Sequence, residues 1–87
     1  MIYMAVPPFD SHSGPPAYMY MRVADHLAAR ISAGELAPGY RLPSERELAS
    51  EYDVAVGTIR QALDELRRRA LVATLAARGT YVLEKPG

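Results

Sequence analysis

The stretch that decides the fold runs from Leu42 to Leu71 and has the sequence LPSERELASEYDVAVGTIRQALDELRRRAL. Ser44, followed three residues later by Glu47, is the capping box that starts a helix. A second helix is indicated by apolar residues at spacings of three and four, namely Val56, Ile59, Leu63, Leu66 and Ala70. Residues 52–54 leave room only for a sharp corner. Helix, short turn and longer helix form the unit that places its second helix in the major groove of DNA.

Upstream of this stretch, the sequence predicts one more helix and a short extended segment. Apolar residues recur on one helical face from Tyr18 or Tyr20 to Ala33, and the glycine that follows suits a left-handed helix end. A proline–glycine pair within residues 35–39 predicts a type II turn. Residues 40–42 are held extended by the next proline and are a possible short edge strand.

Downstream, two β-tolerant runs predict a hairpin. Val72–Ala76 and Thr80–Leu83 are separated by a turn at residues 77–79. A lone hairpin is marginal in water, so we expect it to pack on the helices, with residues 40–42 as a possible third strand. Three helices and a terminal hairpin make an α+β fold, the winged helix-turn-helix, over residues 18–83. Residues 84–87 form a tail.

Residues 1–17 are expected to form a flexible N-terminal arm, because four prolines in this span disfavour helix and central strand. The arm also carries apolar residues, which are Met1, Ile2, Tyr3, Met4, Val6 and Phe9. Docking on the domain or on a partner is therefore an alternative to a disordered leader.

Composition limits the class of protein. Eighty-seven residues are enough for one small domain. No apolar run approaches the roughly 18 residues of a membrane span, and the N-terminus lacks the pattern of a secretory signal, so we expect a cytoplasmic protein without membrane contact. There is no cysteine for a disulfide or thiolate zinc. A net charge of zero argues against a non-specific nucleic-acid coat protein but leaves specific DNA binding open.

Candidate catalytic residues are few. The histidines are His12 and His26, and no Ser-His-Asp set, metal-ligand spacing or glycine-rich phosphate loop accompanies them. We therefore expect no enzymatic activity, no metal and no cofactor.

Five blocks of sequence resemble a known family. They are Tyr20-x-x-Val23-Ala24-x-x-Leu27, Ile31-x-x-Gly34-x-Leu36-x-Pro38-Gly39, Leu42-Pro43-Ser44-Glu45-Arg46-Glu47-Leu48-Ala49, Thr58-Ile59-Arg60-x-Ala62-Leu63-x-x-Leu66 and Gly79-Thr80-Tyr81-Val82. From about Tyr20 to Val82 the chain resembles the N-terminal DNA-binding domain of the GntR family of bacterial transcription regulators.

The resemblance implies a transcription regulator, in the first place a repressor, that binds double-stranded operator DNA. It also implies a homodimer on DNA and hence a palindromic operator. Family members usually carry a C-terminal effector-binding and oligomerisation domain, for which 87 residues leave no room. We expect no small-molecule effector site in this chain, which is either a naturally minimal regulator or a fragment.

The predicted DNA contacts lie on the face of the second helix opposite its apolar stripe. At 100° per residue this face holds Gly57, Gln61, Asp64 and Arg68, flanked by Thr58 and Arg60. Because the N-terminal part of such a helix enters the groove, Gly57 allows close backbone approach and Thr58 suits a phosphate. Arg60 suits phosphate or guanine, and Gln61 suits adenine. The alternative for Arg60 is a solvated side chain paired with Asp64.

Two further arginines complete the predicted site. Arg46 lies in the first turn of the preceding helix, where its charge opposes the helix dipole. The resemblance implies that it contacts DNA, and the alternative is pairing with Ser50 or Glu51. Arg78 tips the hairpin, where a wing can enter the minor groove. The predicted wing contacts are Arg78, Gly79 and Thr80.

Three positions depart from the family pattern. Ala55 stands where Ser or Thr usually caps the second helix, a loss of roughly 0.5–2 kcal/mol. Val56 stands where a basic residue often contacts a base, and Ala77 replaces the first glycine of the wing. These departures keep an alternative open, a winged-helix protein-interaction module whose DNA-binding face has decayed.

Overall fold

The computed structural model describes residues 6–84, so residues 1–5 of the arm and 85–87 of the tail lie outside the described part. A 3-10 turn at Pro16–Tyr18 leads into α1 (Met19–Ser32), α2 (Glu45–Tyr52) and α3 (Val56–Arg68), followed by β1 (Val72–Leu75) and β2 (Gly79–Val82). The two strands are antiparallel. The expected α+β winged helix-turn-helix is confirmed.

The β1–β2 hairpin forms the wing. The hydrophobic core lies between the three helices and the inner side of this wing. Buried core residues are Val23, Ala24, Leu27, Leu36, Leu42, Leu48, Ala49, Tyr52, Ile59, Ala62, Leu63, Leu66, Val72 and Val82. Each fully buried aliphatic side chain contributes roughly 1.5–3 kcal/mol, so the apolar stripe of α3 fixes that helix on α1 and α2. Ala70 was wrongly included in the stripe, because α3 ends at Arg68 and Ala70 is exposed in a left-handed conformation.

The helix ends set the direction of α3. The Ser44 hydroxyl accepts a hydrogen bond from the Glu47 N–H at 3.1 Å, as the capping-box pattern predicts. At the other end of α2, Asp53 adopts a left-handed conformation with φ 55°, and the Val54 N–H donates to the Ala49 carbonyl at 3.0 Å. The chain therefore turns sharply between the two helices, and Ala55, the N-cap residue of α3, follows directly afterwards.

The wing is displaced slightly from its predicted position. Its turn covers residues 76–78 instead of 77–79, because Ala77 has a positive φ of 62° and the Arg78 N–H donates to the Leu75 carbonyl at 3.0 Å. The possible third strand is reduced to a single bridge between Arg41 and Tyr81. A glycine turn before it and a proline after it limit its length.

The described part of the N-terminal arm packs on the domain. The Phe9 ring lies against His26 and Tyr52, with ring centroids 5.5 and 5.1 Å apart. The Pro7 carbonyl lies 2.6 Å from His26 Nε2, and Arg22 binds the carbonyls of Asp10 and Ser13. Of the two alternatives for the arm, docking on the domain is the one that residues 6–15 display.

Candidate DNA-binding surface

The predicted face of α3 is open to solvent. Gly57, Arg60, Gln61, Asp64 and Arg68 are exposed and Thr58 is half-buried, while the opposite side of the helix is buried in the core. The 3.6-residue period alone determines this division, which is why the sequence was sufficient to predict it. The structure thus brings the four predicted α3 contacts onto one accessible surface.

The N-terminus of α3 is accessible at its backbone. Ala55 occupies the N-cap position in an extended conformation and makes no side-chain capping bond, as the departure from Ser or Thr predicts. A Cβ placed on Gly57 would meet nothing within 4 Å, so the first turn is open. Uncapped N–H groups at a helix N-terminus favour an anion such as a DNA phosphate.

Arg60 is positioned by the preceding helix. Its Nε donates to Glu45 Oε1 at 2.9 Å, which ties the exposed side of α3 to the start of α2. The alternative pairing of Arg60 with Asp64 is wrong, because Asp64 pairs with Arg67. An exposed pair of this kind contributes only about 0–1 kcal/mol, so a phosphate or base edge can readily compete for the guanidinium.

Arg46 and Arg78 are not engaged by the rest of the described chain. The pairing of Arg46 with Glu51 is wrong, because Glu51 binds Arg30 at 2.9 Å. Among contacts within residues 6–84, neither Arg46 nor Arg78 makes a side-chain hydrogen bond or ion pair, and both are exposed. Both guanidinium groups can therefore bind a phosphate without first losing an internal partner.

The wing and the start of α2 face each other across an open groove. The lining residues are Tyr40, Arg41, Leu42, Pro43, Ser44, Glu45, Glu47, Leu63, Thr74, Gly79 and Thr80. The Thr80 hydroxyl lies 2.8 Å from that of Thr74, so this predicted contact is directed across the hairpin. Gly79 adopts φ +110°, which favours glycine. Arg41 also lines the groove and is not among the predicted DNA contacts; the only feature of the sequence that marks it is its place directly before Leu42-Pro43-Ser44-Glu45.

The C-terminal end of α3 is fixed to α1 by charged side chains. Arg68 and Arg69 both donate to the buried Glu65 carboxylate, and Arg69 also binds Asp25 at 2.8 Å. These hydrogen bonds from Arg68 and Arg69 lower the pKa of Glu65 from 4.5 to about 2. The basic cluster at this helix end therefore has internal partners.

Residues 6–84 contain no group of three or more histidine, aspartate or glutamate side chains arranged to hold a metal ion. None of the helices in that range is long and apolar enough to cross a membrane.

The geometry defines a winged helix-turn-helix in which α3 is the exposed recognition helix. A model of the bacterial regulatory proteins of the gntR family matches residues 19–82. The chain belongs to the GntR family of bacterial regulatory proteins.

Curated relatives are regulators. The chain is 38% identical over 71 residues to the HTH-type transcriptional regulator SmoD of Agrobacterium fabrum, covering 82% of this chain and 30% of the relative. It is 40% identical over 67 residues to the HTH-type transcriptional repressor NagR of Bacillus subtilis, covering 77% of this chain and 28% of the relative. The chain thus spans less than a third of the length of these two relatives.

Solved structures show the same fold. YtrA from Sulfolobus acidocaldarius, a GntR-family transcription factor, is 32% identical with a TM-score of 0.77, over 94% of this chain and 84% of that one. AraR(DBD) in complex with operator ORE1 is 29% identical with a TM-score of 0.71, over 86% and 89% of the two chains.

Proposed function

We propose that this chain is a sequence-specific DNA-binding unit of a GntR-type transcription regulator, acting as a repressor on double-stranded operator DNA. The observation that carries the proposal is the exposed N-terminal half of α3, together with the exposed guanidinium groups of Arg46 in α2 and Arg78 in the wing turn, which have no side-chain partner among residues 6–84. The repressor NagR and the operator-bound AraR(DBD) support it by similarity.

Each predicted residue has a role in this arrangement. The first turn of α3, with Gly57 and Thr58, receives a phosphate, because helix N-termini attract anions. Arg60 and Gln61 face the base edges of the major groove, where arginine suits guanine and glutamine suits adenine. Arg46 holds the flanking phosphates. The wing, with Arg78 at its tip and Gly79 and Thr80 behind it, approaches the minor groove.

The proposal includes a partner organisation. Helix-turn-helix proteins commonly bind two half-sites as dimers, so we place a homodimer on a palindromic operator. A regulator of bacterial genes acts on the chromosome, which places it in the cytoplasm. The role is non-enzymatic: binding alone blocks or recruits other proteins, and no cofactor or membrane is required.

Fluorescence titration of the 87-residue chain against duplexes selected from a randomised library tests the proposal. Arg46→Ala and Arg60→Ala should each weaken binding about tenfold or more, without loss of helix content by circular dichroism. Arg22→Ala removes the same charge beside the arm and should weaken binding less than either of these variants.

Glu45→Gln separates the role of Arg60 from that of its partner. It releases the Arg60 guanidinium and removes a negative charge from the surface, so affinity should hold or rise. If selection yields no duplex that is preferred over random competitor, even at low salt, the regulator proposal fails and the interaction-module alternative gains.

A further inference from the structure

Arg41 is an exposed arginine with no side-chain hydrogen bond or ion pair to any residue of the described chain. Its backbone is fixed, because its bridge to Tyr81 joins residues 40–42 to β2. The neighbouring Leu42 N–H donates to the Thr80 carbonyl at 2.8 Å, and the Val82 N–H donates to the Tyr40 carbonyl at 2.9 Å. The backbone that carries the Arg41 side chain is therefore held in place beside the wing.

The position of Gly79 leaves space for the Arg41 side chain. A Cβ built on Gly79 would lie 2.8 Å from Arg41 Nε, closer than non-bonded atoms approach. The arginine thus lies directly over the glycine backbone at the start of β2. The φ of +110° favours glycine at this position, and the missing Cβ also leaves room for the Arg41 side chain as it lies here.

The groove that Arg41 lines has a defined relation to bound DNA. When a recognition helix occupies the major groove and a wing occupies the adjacent minor groove, the sugar-phosphate backbone between the two grooves passes between helix and wing. The groove lies next to this path: the start of α2 lines one side, Thr74 and Thr80 of the wing line the other, and α3 contributes only the buried Leu63.

The groove is lined by charges of both signs. Two carboxylates, Glu45 and Glu47, line it, and Glu45 is already paired with Arg60. Among the described lining residues, Arg41 alone carries a positive charge. A phosphate beside these carboxylates needs a cation facing it, because like charges at short distance repel.

Building on the function proposed above, we infer that Arg41 is a further DNA-binding residue, which holds the backbone phosphate lying between the recognition helix and the wing. It fixes the spacing between the two DNA-contacting elements and carries no base preference, since a phosphate looks the same at every sequence.

The test compares the full chain with Arg41→Ala and Arg41→Lys in titrations over a series of salt concentrations, on one library-selected duplex. Arg41→Ala should bind about tenfold more weakly, with the slope of log affinity against log salt reduced by about one. Arg41→Lys keeps the charge and should keep the slope. Arg22→Ala removes the same charge away from the groove and should leave the salt slope unchanged, whatever its effect on the docked arm.

A second series replaces single phosphates of the duplex with neutral methylphosphonates. One replacement, between the contacts of α3 and those of the wing, should weaken the wild-type chain and leave Arg41→Ala unaffected, since the two changes remove the same contact. An unchanged salt slope in Arg41→Ala, or a lowered melting temperature without a change in slope, would overturn the inference while leaving the proposed function standing. A wild-type chain that prefers no duplex would overturn both.

Discussion

At the scale of single residues, two alanines adopt conformations that favour glycine. Ala70 has φ 60° and Ala77 has φ 62°. A left-handed conformation costs an L-residue roughly 1–2 kcal/mol, whereas glycine is free of this cost but loses about 0.5–1 kcal/mol more conformational entropy on folding. The absence of the family's glycine at position 77 is therefore a cost to the wing turn itself.

Ala70→Gly and Ala77→Gly should each raise the free energy of unfolding, by up to about 1 kcal/mol. Urea denaturation monitored by circular dichroism measures the change. Ala29→Gly, on the exposed side of α1, is the matched control and should lower stability by about 1 kcal/mol. If all three substitutions lower the free energy of unfolding to the same degree, left-handed strain at positions 70 and 77 is not significant.

The limits of sequence-based prediction also appear at this scale. Ser44, the exposed residues of α3 and the glycine after α1 were predictable, because caps and periodicity depend on residues within one turn of helix. The partner of Arg60 was not predictable, because Glu45 lies 15 residues away in the sequence and is brought close only by the packing of α2 on α3. Arg41 was missed for the same reason: its role depends on β2, whose position the sequence pattern leaves open.

At the scale of elements, α3 is attached to α1 at its C-terminal end through Glu65 and Arg69. The carboxylate is buried, accepts from Arg68 and Arg69, and has its pKa lowered to about 2 from an ordinary 4.5. Since the folded state holds this proton less tightly than the unfolded state, stability from Glu65 is fully present above about pH 4.5. It is lost as the pH falls towards 2.

Glu65→Gln should therefore lower the melting temperature at pH 7, and the gap to the wild type should narrow as the pH falls from about 4.5 to 2. Thermal unfolding across that range measures the gap. Glu84→Gln replaces an exposed carboxylate with no ion pair within the described residues and should show no such narrowing. A constant gap for Glu65→Gln would mean that its carboxylate is not stabilised by the two arginines.

At the scale of the whole molecule, the arm extends the folded unit beyond the family's matched residues. It contacts α1 through Arg22 and His26, and it reaches the helix-turn-helix corner, where the Ser11 hydroxyl donates to Asp53 at 3.1 Å. Asp53 occupies the corner that orients α3. The arm thus contacts the residue at which the chain turns from α2 towards α3.

Phe9→Ala tests whether this contact stabilises the fold. The Phe9 ring packs on His26 and Tyr52, and Arg22 lies 5.0 Å from its centroid, so its removal should cost about 1–2 kcal/mol. For a domain of this size, that lowers the melting temperature by about 4–8 °C for each kcal/mol. Tyr18→Ala removes an aromatic ring that is 63% exposed and should have little effect.

Hydrogen exchange adds a local measurement to this comparison. The His12 N–H donates to Asp10 Oδ1 at 2.9 Å inside the docked arm, so its exchange should accelerate in Phe9→Ala when the ring no longer anchors residues 10–13. The exchange rates of amides in the middle of α3, such as that of Leu63, should change only as much as the change in global stability requires. Equal melting temperatures and equal His12 exchange in Phe9→Ala and the wild type would show that the arm lies on the domain without stabilising it.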